Sequence, residues 1–249
     1  MIVHIKHLEH TYSANLQQPL DISIPLRDGM DNPNCFYAPY PEMSPVRSGE
    51  FIGSTTEGGL VNFFNVKMNP HGNGTHTECV GHIAKERHVI NDHLKQFHFI
   101  AKLVSLYPRR LDNGDRRIDV DLIQELLHPG EAEAFIIRTL PNEDWKLTHS
   151  YSGTNPPYLD KNAVHYLVDC GIQHLLIDLP SVDREEDEGK LLAHRAFWKY
   201  PDNVRQKCTI SELIYVHNEI KDGLYLLNLQ ITSLDLDVSP SKPILYSLL

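Results

Sequence analysis

The strongest constraint on how this chain folds is a short stretch rich in metal-ligand side chains. It runs His71-Gly-Asn-Gly-Thr-His76-Thr-Glu78-Cys-Val-Gly-His82. Imidazole and carboxylate groups are the usual ligands of zinc, manganese and similar divalent ions. The glycines disfavour a helix and let the backbone turn tightly enough for side chains so close in sequence to converge. The stretch therefore predicts a metal-binding loop, and the fold has to supply its remaining ligands.

Composition and charge narrow the class of protein. The chain has 249 residues, of which 41% are hydrophobic and 22% are charged, as is usual for a globular protein with a sizeable core. Its formal net charge of -10 argues against a nucleic-acid or membrane-surface binding face. We therefore predict a protein that has no nucleic-acid or membrane partner.

The cysteines and the first residues bear on the cellular compartment. The cysteines are Cys35, Cys79, Cys170 and Cys208, which are far apart and form no Cys-x-x-Cys pair. A chain of this length needs no disulfide framework, so reduced thiols are expected. The first residues lack the apolar run of a signal peptide, and no segment has the roughly 18 apolar residues that span a bilayer. These features predict a cytoplasmic protein.

Hydrophobic patterning predicts alternating strands and helices. A helix is predicted from Asp160, as its N-cap, through Cys170, with Gly171 as its C-cap. It lies between two apolar strands, as in a βαβ unit. A shorter helix, with Asp121 as its capping residue, is predicted to end at Leu127. The predicted strands are residues 20–25, 59–68, 103–107, 134–139, 174–178, 224–229 and 243–246.

Residues 27–59 form a long segment rich in proline, glycine, asparagine and aspartate. A long irregular segment in a compact domain is usually either disordered or functional. Its aromatic residues Phe36, Tyr37 and Tyr40 favour a packed loop that walls a pocket. No repeat, low-complexity tract or linker interrupts the chain, which favours one α/β domain with a mixed sheet over residues 1–249.

Several other chemically active side chains are left out of the predicted site. The excluded histidines are His4, His7 and His10 near the terminus, and His88, His93 and His98, which recur at intervals of five. Neither spacing places three imidazoles on one face of a helix or strand. Asp178 is interpreted as a cap of the following Pro-Ser turn, and Cys79 as a bystander. No Gly-x-Ser-x-Gly elbow is present, which argues against a Ser-His-Asp nucleophile.

The stretch and three downstream segments together resemble a known family. The Gly74-Thr75-His76-x-Glu78-x3-His82 core is similar to the His-x-Gly-Thr-His-x-Asp-x-Pro-x-His signature of the putative cyclase family, which includes bacterial kynurenine formamidases and isatin hydrolases. Residues 171–183 resemble its Gly-Val-x-x-Val-Gly-Ile-Asp-Thr-Pro-Ser-x-Asp segment. Residues 194–197 and 210–213 correspond to its His-x-x-Leu and Ile-x-Glu-Asn-Leu elements. The resemblance covers most of the chain in the right order.

The resemblance implies a fold and a chemistry. Members of the family fold as a swivelling β/β/α domain with a central mixed β-barrel, commonly form homodimers, and use one or two divalent metals to hydrolyse amide bonds. By resemblance, this chain is an arylformamidase-like hydrolase of an amide, formamide or lactam bond in a small aromatic or cyclic substrate. Zinc is the first choice of metal and manganese the second. The metal would lower the pKa of bound water to roughly 7 and so supply hydroxide as nucleophile.

The resemblance also implies roles for individual residues. The implied metal ligands are His71, His76, Glu78, His194 and Glu212. The first three would hold one metal, and Glu78 would bridge to a second metal bound also by the last two. His82 would stand beside the metals as the general acid and base.

The stretch departs from the family signature at three points. It has one extra residue between its first two histidines, Glu78 in place of an aspartate, and Val80 in place of a proline. With the extra residue, His71 reaches the centre only if the loop bulges around Gly72 and Asn73, which glycine permits.

Two other functions are compatible with the same residues. One is a cyclase or dehydratase that uses the metal as a Lewis acid. The other is a non-catalytic binding protein that shares the fold. The stretch specifies a metal and leaves the reaction open.

Overall fold

The computed structural model describes residues 1–249. The strands are β1 Ile2–His7, β2 His10–Asn15, β3 Leu20–Asp21, β4 Glu42–Pro45, β5 Arg47–Ser48, β6 Phe51–Ile52, β7 Phe64–Lys67, β8 His76–Glu78, β9 His98–Leu106, β10 Arg109–Arg110, β11 Arg116–Ile118, β12 Ala134–Thr139, β13 Tyr158–Leu159, β14 His174–Ile177, β15 Thr209–Glu212, β16 Gly223–Ile231 and β17 Val238–Ser247. The α-helices are α1 Ile90–His93, α2 Val120–Gln124, α3 Lys161–Asp169 and α4 Leu192–Trp198. None of the helices combines the length and the apolarity that a membrane span requires.

A closed β-barrel forms the centre of the molecule. Its strands follow the order β16-β9-β12-β14-β15-β8-β17, and β17 pairs again with β16 to close the ring. The strands β9, β12, β14 and β15 run parallel to one another, whereas β8, β16 and β17 are antiparallel to their neighbours. Strand β3 pairs with β17 outside the ring. This confirms the predicted α/β fold with a central mixed barrel.

The alternation of side chains along β12 separates two hydrophobic layers. Ala134 and Ile136 pack with buried side chains of the other barrel strands. Phe135 and Ile137 face the opposite side, where they belong to the cluster that includes Leu167 of α3. Successive side chains of a strand point to opposite faces, and a strand covered on both faces is apolar throughout. The continuous apolar run of β12 is therefore explained by the barrel interior on one side and helices on the other.

The predicted βαβ unit is confirmed. Strand β12 has the predicted bounds, and it pairs in parallel with β14 after the α3 crossover. The Asp160 side chain accepts a hydrogen bond from the Asn162 backbone N–H and so caps the helix. Gly171 follows the helix with a φ of 90°, a left-handed conformation that favours glycine.

The prediction for the shorter helix was wrong in its cap and its end. Helix α2 begins after Asp119 and ends at Gln124. The Asp121 carboxylate forms an ion pair with the Arg109 guanidinium instead of capping the helix. The predicted strand over residues 20–25 is also shorter than expected. Within residues 20–25 only the first two are in a strand, because the Asp21 side chain accepts a hydrogen bond from the Ser23 backbone N–H and turns the chain.

Asp178 does not cap the Pro-Ser turn as predicted. Its carboxylate accepts hydrogen bonds from the backbone N–H and the hydroxyl of Thr139 on the neighbouring strand β12. Its second partner is the ammonium group of Lys146, 2.8 Å away and also buried. Burial raises the pKa of Asp178 against the opposing effect of that ammonium group. The residue therefore ties the ends of two barrel strands to a loop.

Residues 42–67 extend from the barrel as an arm. Strand β4 pairs antiparallel with β7, and β5 pairs with β6, so the predicted irregular segment contains short strands. The predicted strand over residues 59–68 is limited to β7. Large apolar side chains on the arm are exposed to solvent, namely Phe51, Leu60, Val61, Phe63, Phe64 and Val66. An exposed apolar surface of this kind is typical of an interaction site.

The buried side chain of His174 makes the stability of the core depend on pH. The side chain is 2% exposed, its Nδ1 lies 2.9 Å from the Thr209 hydroxyl, and burial lowers its pKa to about 3. The unfolded chain, with an imidazole pKa of about 6.5, binds this proton more readily. Stability from this residue is therefore present above about pH 6.5 and is lost as the pH falls towards 3.

We expect wild type to lose about 2 kcal/mol more unfolding free energy than His174→Asn between pH 7 and pH 5. Asparagine cannot take up the proton but can still hydrogen-bond Thr209. Urea unfolding at both pH values measures the difference. Equal losses in the two proteins would contradict the assignment of His174 as a buried neutral group.

Candidate metal centre

Strand β8 carries two of the clustered residues into the barrel wall. It lies between β15 and β17, antiparallel to both. In this register His76 lies opposite Glu212, and Glu78 lies opposite Val238. The Thr75 hydroxyl donates a hydrogen bond to the Leu213 carbonyl and anchors the start of the strand. Pairing in the barrel therefore explains why Glu212, distant in sequence, lies beside His76.

The turn before β8 accommodates the extra residue of the stretch. A Cβ atom at Gly72 would lie 2.4 Å from the Ala38 Cβ, so only glycine fits there without displacing the backbone. The Asn73 side chain is buried and hydrogen-bonds the backbone of Asn69 and Pro39. With this turn, His71 Nδ1 lies 3.2 Å from Glu78 Oε2.

Glu78 is the centre of the cluster and is fully buried. Its Oε2 lies 3.2 Å from His71 Nδ1 and 3.5 Å from His82 Nδ1. Its Oε1 lies 3.2 Å from His194 Nε2. The two carboxylate oxygens therefore face different imidazoles. Ligand atoms of His71, His76 and Glu78 lie within 4.8 Å of one another, and so do those of Glu78, His82 and His194.

His76 and Glu212 form the second side of the cluster. His76 Nδ1 donates a hydrogen bond to the Gly74 carbonyl at 2.9 Å, which directs Nε2 towards Glu212 Oε2, 3.3 Å away. The other oxygen of Glu212 accepts a hydrogen bond from the Val182 backbone N–H. It also lies 3.9 Å from His194 Nε2. All six residues that the sequence singled out are thus brought together.

Two buried atoms of the cluster lack hydrogen-bond partners within the protein. They are His76 Nε2 and Glu78 Oε2. Buried polar atoms of native proteins nearly always have a partner, and an unpaired one is costly. A divalent cation accepts electron pairs from imidazole nitrogen and carboxylate oxygen, so it would satisfy both atoms. The residues present therefore fit a divalent metal.

The charges of the cluster shift the pKa values of its members. Burial disfavours the charged form of His194, but hydrogen bonds to Asp183 and Glu78 outweigh it and raise the pKa to about 10. For His71, the hydrogen bond to Asp237 and the negative charge of Glu78 likewise outweigh burial and raise the pKa to about 10. Burial opposes ionisation of Glu78, but the surrounding imidazoles hold its pKa well below the usual range. In the absence of metal, the protons bound to His194 and His71 therefore balance the negative charge of the buried carboxylates.

Two aspartates outside the predicted ligand set contact the imidazoles. Asp183 accepts a hydrogen bond from His194 Nδ1 at 2.6 Å. Asp237 Oδ2 lies 3.1 Å from His71 Nε2 and 3.9 Å from His82 Nδ1. Asp183 is the last residue of the segment 171–183 that resembles the family. Its place in that segment could have identified it as a site residue from the sequence. Asp237 stands in a polar turn before the last strand, and no motif marks it.

The other histidines lie elsewhere. His88 and His93 contact each other, with Nδ1 and Nε2 3.1 Å apart. His7 donates a hydrogen bond to the Glu131 carbonyl, and His98 contacts Asn228. The ligand-atom groups of the cluster include none of these residues. Leaving them out of the site therefore agrees with the structure.

A cavity of about 440 Å³ opens beside the cluster. His71 and Asp237 form its polar floor, and Tyr40, Met68 and Leu236 contribute apolar walls. Of the three aromatic residues expected to wall a pocket, Tyr40 lines this cavity. Tyr37 is largely exposed. The cavity has the size of a site for a small molecule.

The chain is similar to known proteins over most of its length. A family model described as "Putative cyclase" matches residues 20–184. An isatin hydrolase bound to the product analogue thioisatinate superposes with a TM-score of 0.65 at 16% identity, over 92% of each chain. Isatin hydrolase A from Ralstonia solanacearum has a TM-score of 0.68 at 11% identity, with 92% of this chain and 91% of that chain covered.

A "predicted metal-dependent hydrolase" from Bacillus stearothermophilus also shares the fold. It superposes with a TM-score of 0.63 at 19% identity, over 92% of this chain and 98% of that chain. No curated protein matches the sequence. At these identities the structural similarity demonstrates a common fold.

The cluster predicts that metal binding depends on the Glu78 carboxylate. We expect purified wild type to contain one to two equivalents of divalent metal and Glu78→Gln to contain much less, because the amide lacks the negative charge. Elemental analysis of protein purified without chelator measures this. Glu50→Gln, at an exposed position, is the control and should match wild type. Undiminished metal in Glu78→Gln would contradict the prediction.

Proposed function

Because the chain belongs to the cyclase family, we propose that it is a metal-dependent hydrolase acting on an amide, formamide or lactam bond of a small aromatic or cyclic substrate, in the manner of an arylformamidase. The observation that carries the proposal is the buried carboxylate of Glu78, with each of its oxygens facing different imidazoles. The isatin hydrolases that share the fold act on a compact cyclic compound of this type. The proposed enzyme is one domain over residues 1–249.

The proposed metal ligands are His71, His76, Glu78, His194 and Glu212. We favour zinc over manganese, with one or two ions per chain, because imidazole and carboxylate suit both metals. Glu78 is suited to bridge two ions because its oxygens diverge towards different imidazoles. When bound, the metal supplies a Lewis acid that polarises a carbonyl and makes a water molecule more acidic.

His82 is the proposed proton carrier. Its side chain is 31% exposed, whereas Glu78 is fully buried, so it lies where the cluster meets solvent. Burial lowers its pKa, so that the imidazole is neutral and can accept a proton near pH 7. It would take a proton from the attacking water and return it to the leaving nitrogen.

The adjoining cavity supports a small, partly apolar substrate. Tyr40 and Met68 offer apolar walls of the kind that hold a ring. His71 and Asp237 bring the cluster to the cavity floor, so a bound carbonyl group would lie near it.

Replacing His82 separates proton transfer from metal binding. We expect His82→Ala to lower kcat by about a hundredfold or more with metal content unchanged. The assay measures release of formate or ring opening with a panel of aryl formamides and lactams. Loss of metal in His82→Ala would make His82 a ligand instead, and dehydration products would favour the cyclase or dehydratase alternative.

We also propose that the chain forms a homodimer through the arm of residues 42–67. The exposed apolar side chains of the arm support this, since surfaces of this kind are usually covered by a partner. We expect wild type to elute as a dimer and the double variant Phe63→Ser with Val66→Ser to shift towards the monomer. Light scattering after size-exclusion chromatography measures the mass. A wild-type monomer would contradict the proposal.

A further inference from the structure

We propose that Asp237 belongs to the metal centre, as the carboxylate that holds the His71 ring with its Nδ1 directed at Glu78. The inference rests on the proposed function, because it assigns a role to Asp237 in the same centre. Asp237 is far from the stretch in sequence, and no motif marks it. The assignment comes from its contacts alone.

Two aspartate–histidine pairs flank Glu78 in the same arrangement. On one side, Asp183 contacts His194 Nδ1 at 2.6 Å, and His194 Nε2 lies 3.2 Å from Glu78 Oε1. On the other side, Asp237 contacts His71 Nε2 at 3.1 Å, and His71 Nδ1 lies 3.2 Å from Glu78 Oε2. In each pair one ring nitrogen faces an aspartate and the other faces the central carboxylate.

A carboxylate behind a metal-binding imidazole has a defined effect. It accepts the proton of the distal ring nitrogen, which fixes the tautomer and the ring orientation and makes the proximal nitrogen a better ligand. With Asp237 accepting from His71 Nε2, Nδ1 is the nitrogen that faces Glu78 Oε2, and it offers an electron pair to a cation that displaces its proton. That oxygen is the buried atom without a hydrogen-bond partner. The geometry therefore directs two electron pairs to one place, where a cation would bind.

The backbone brings Asp237 to this position through independent contacts. Its carbonyl accepts a hydrogen bond from the Cys79 backbone N–H at 2.9 Å, next to Glu78. A Cβ atom at Gly81 would lie 2.5 Å from the His88 carbonyl oxygen and 2.7 Å from the Asp237 Cβ. The last glycine of the stretch therefore leaves room for the close approach of both residues.

The same contact compensates for the extra residue of the loop. His71 leaves a bulged turn and its side chain is 27% exposed, whereas His76 is fully buried in a barrel strand. Only Asp237 hydrogen-bonds the distal nitrogen of His71. The ring also packs against the imidazoles of His76 and His82, and the hydrogen bond from Nε2 fixes which nitrogen faces Glu78.

The test measures metal affinity rather than activity. Zinc and manganese ions, each alone, are titrated into metal-free wild type, Asp237→Ala and Asp237→Asn in competition with a chromogenic chelator. We expect Asp237→Ala to bind about 10- to 100-fold more weakly. Asp237→Asn should fall between it and wild type, because the amide oxygen still accepts a hydrogen bond. Asp235→Ala is the matched control, since Asp235 lies in the same turn but pairs with Arg87 at the surface.

A double-mutant cycle separates positioning from a purely structural role. If Asp237 acts through His71, Asp237→Ala should not weaken metal binding further when His71 is already alanine. Thermal unfolding of the metal-free proteins is measured alongside: Asp237→Ala loses its ion pair with His71 and should melt below Asp235→Ala, but still in one cooperative transition. Wild-type affinity in Asp237→Ala, or an equal loss with and without His71, would overturn the inference. A wild type that binds neither metal would instead overturn the proposed function.

Discussion

The buried negative charge of Glu78 is the constraint on which the site depends. A carboxylate removed from water is strongly unfavourable unless positive charge or hydrogen bonds surround it. Glu78 is fully buried on a barrel strand, so the fold has to bring that compensation to it. It does so with imidazoles from the preceding loop, from the following turn and from helix α4. These imidazoles in turn need anionic partners, which Asp183 and Asp237 supply.

Barrel closure makes this arrangement possible. The parallel strands β9, β12, β14 and β15 place their carboxyl ends at one edge, where Glu212 ends its strand. Strand β8 enters antiparallel between β15 and β17, and so places His76 beside Glu212 and Glu78 beside the start of the last strand. The barrel wall holds these side chains, whereas His71 and His82 lie on turns outside the barrel strands, and His71 lines the cavity. The buried part of the centre is thus suited to hold charge, and its edge is suited to meet a substrate.

Elements with one strong local cause were predicted well. The apolar run of β12 and the helix between Asp160 and Gly171 have their predicted positions. A strand buried on both faces needs apolar residues throughout, and a helix end needs particular capping residues, so both can be recognised from neighbouring residues in the sequence. Predictions failed where a polar side chain found a distant partner. Asp121 pairs with Arg109, and Asp178 pairs with Lys146 of the loop that follows β12. Local spacing contains no information about such partners.

The sequence by itself determined the composition of the site: a glycine-rich stretch with imidazoles and a carboxylate, and three downstream segments that resemble the same family. Side chains so close along the chain must be near one another in space, so this part of the site follows from chain connectivity. The family resemblance already implied Glu212 as a distant ligand, but only the tertiary structure decided that Asp237 joins it. Glu212 and Asp237 reach the cluster through the register of β8 with its two neighbours, and register is a property of the closed barrel. For that reason Asp237, which no motif marks, became visible only in the fold.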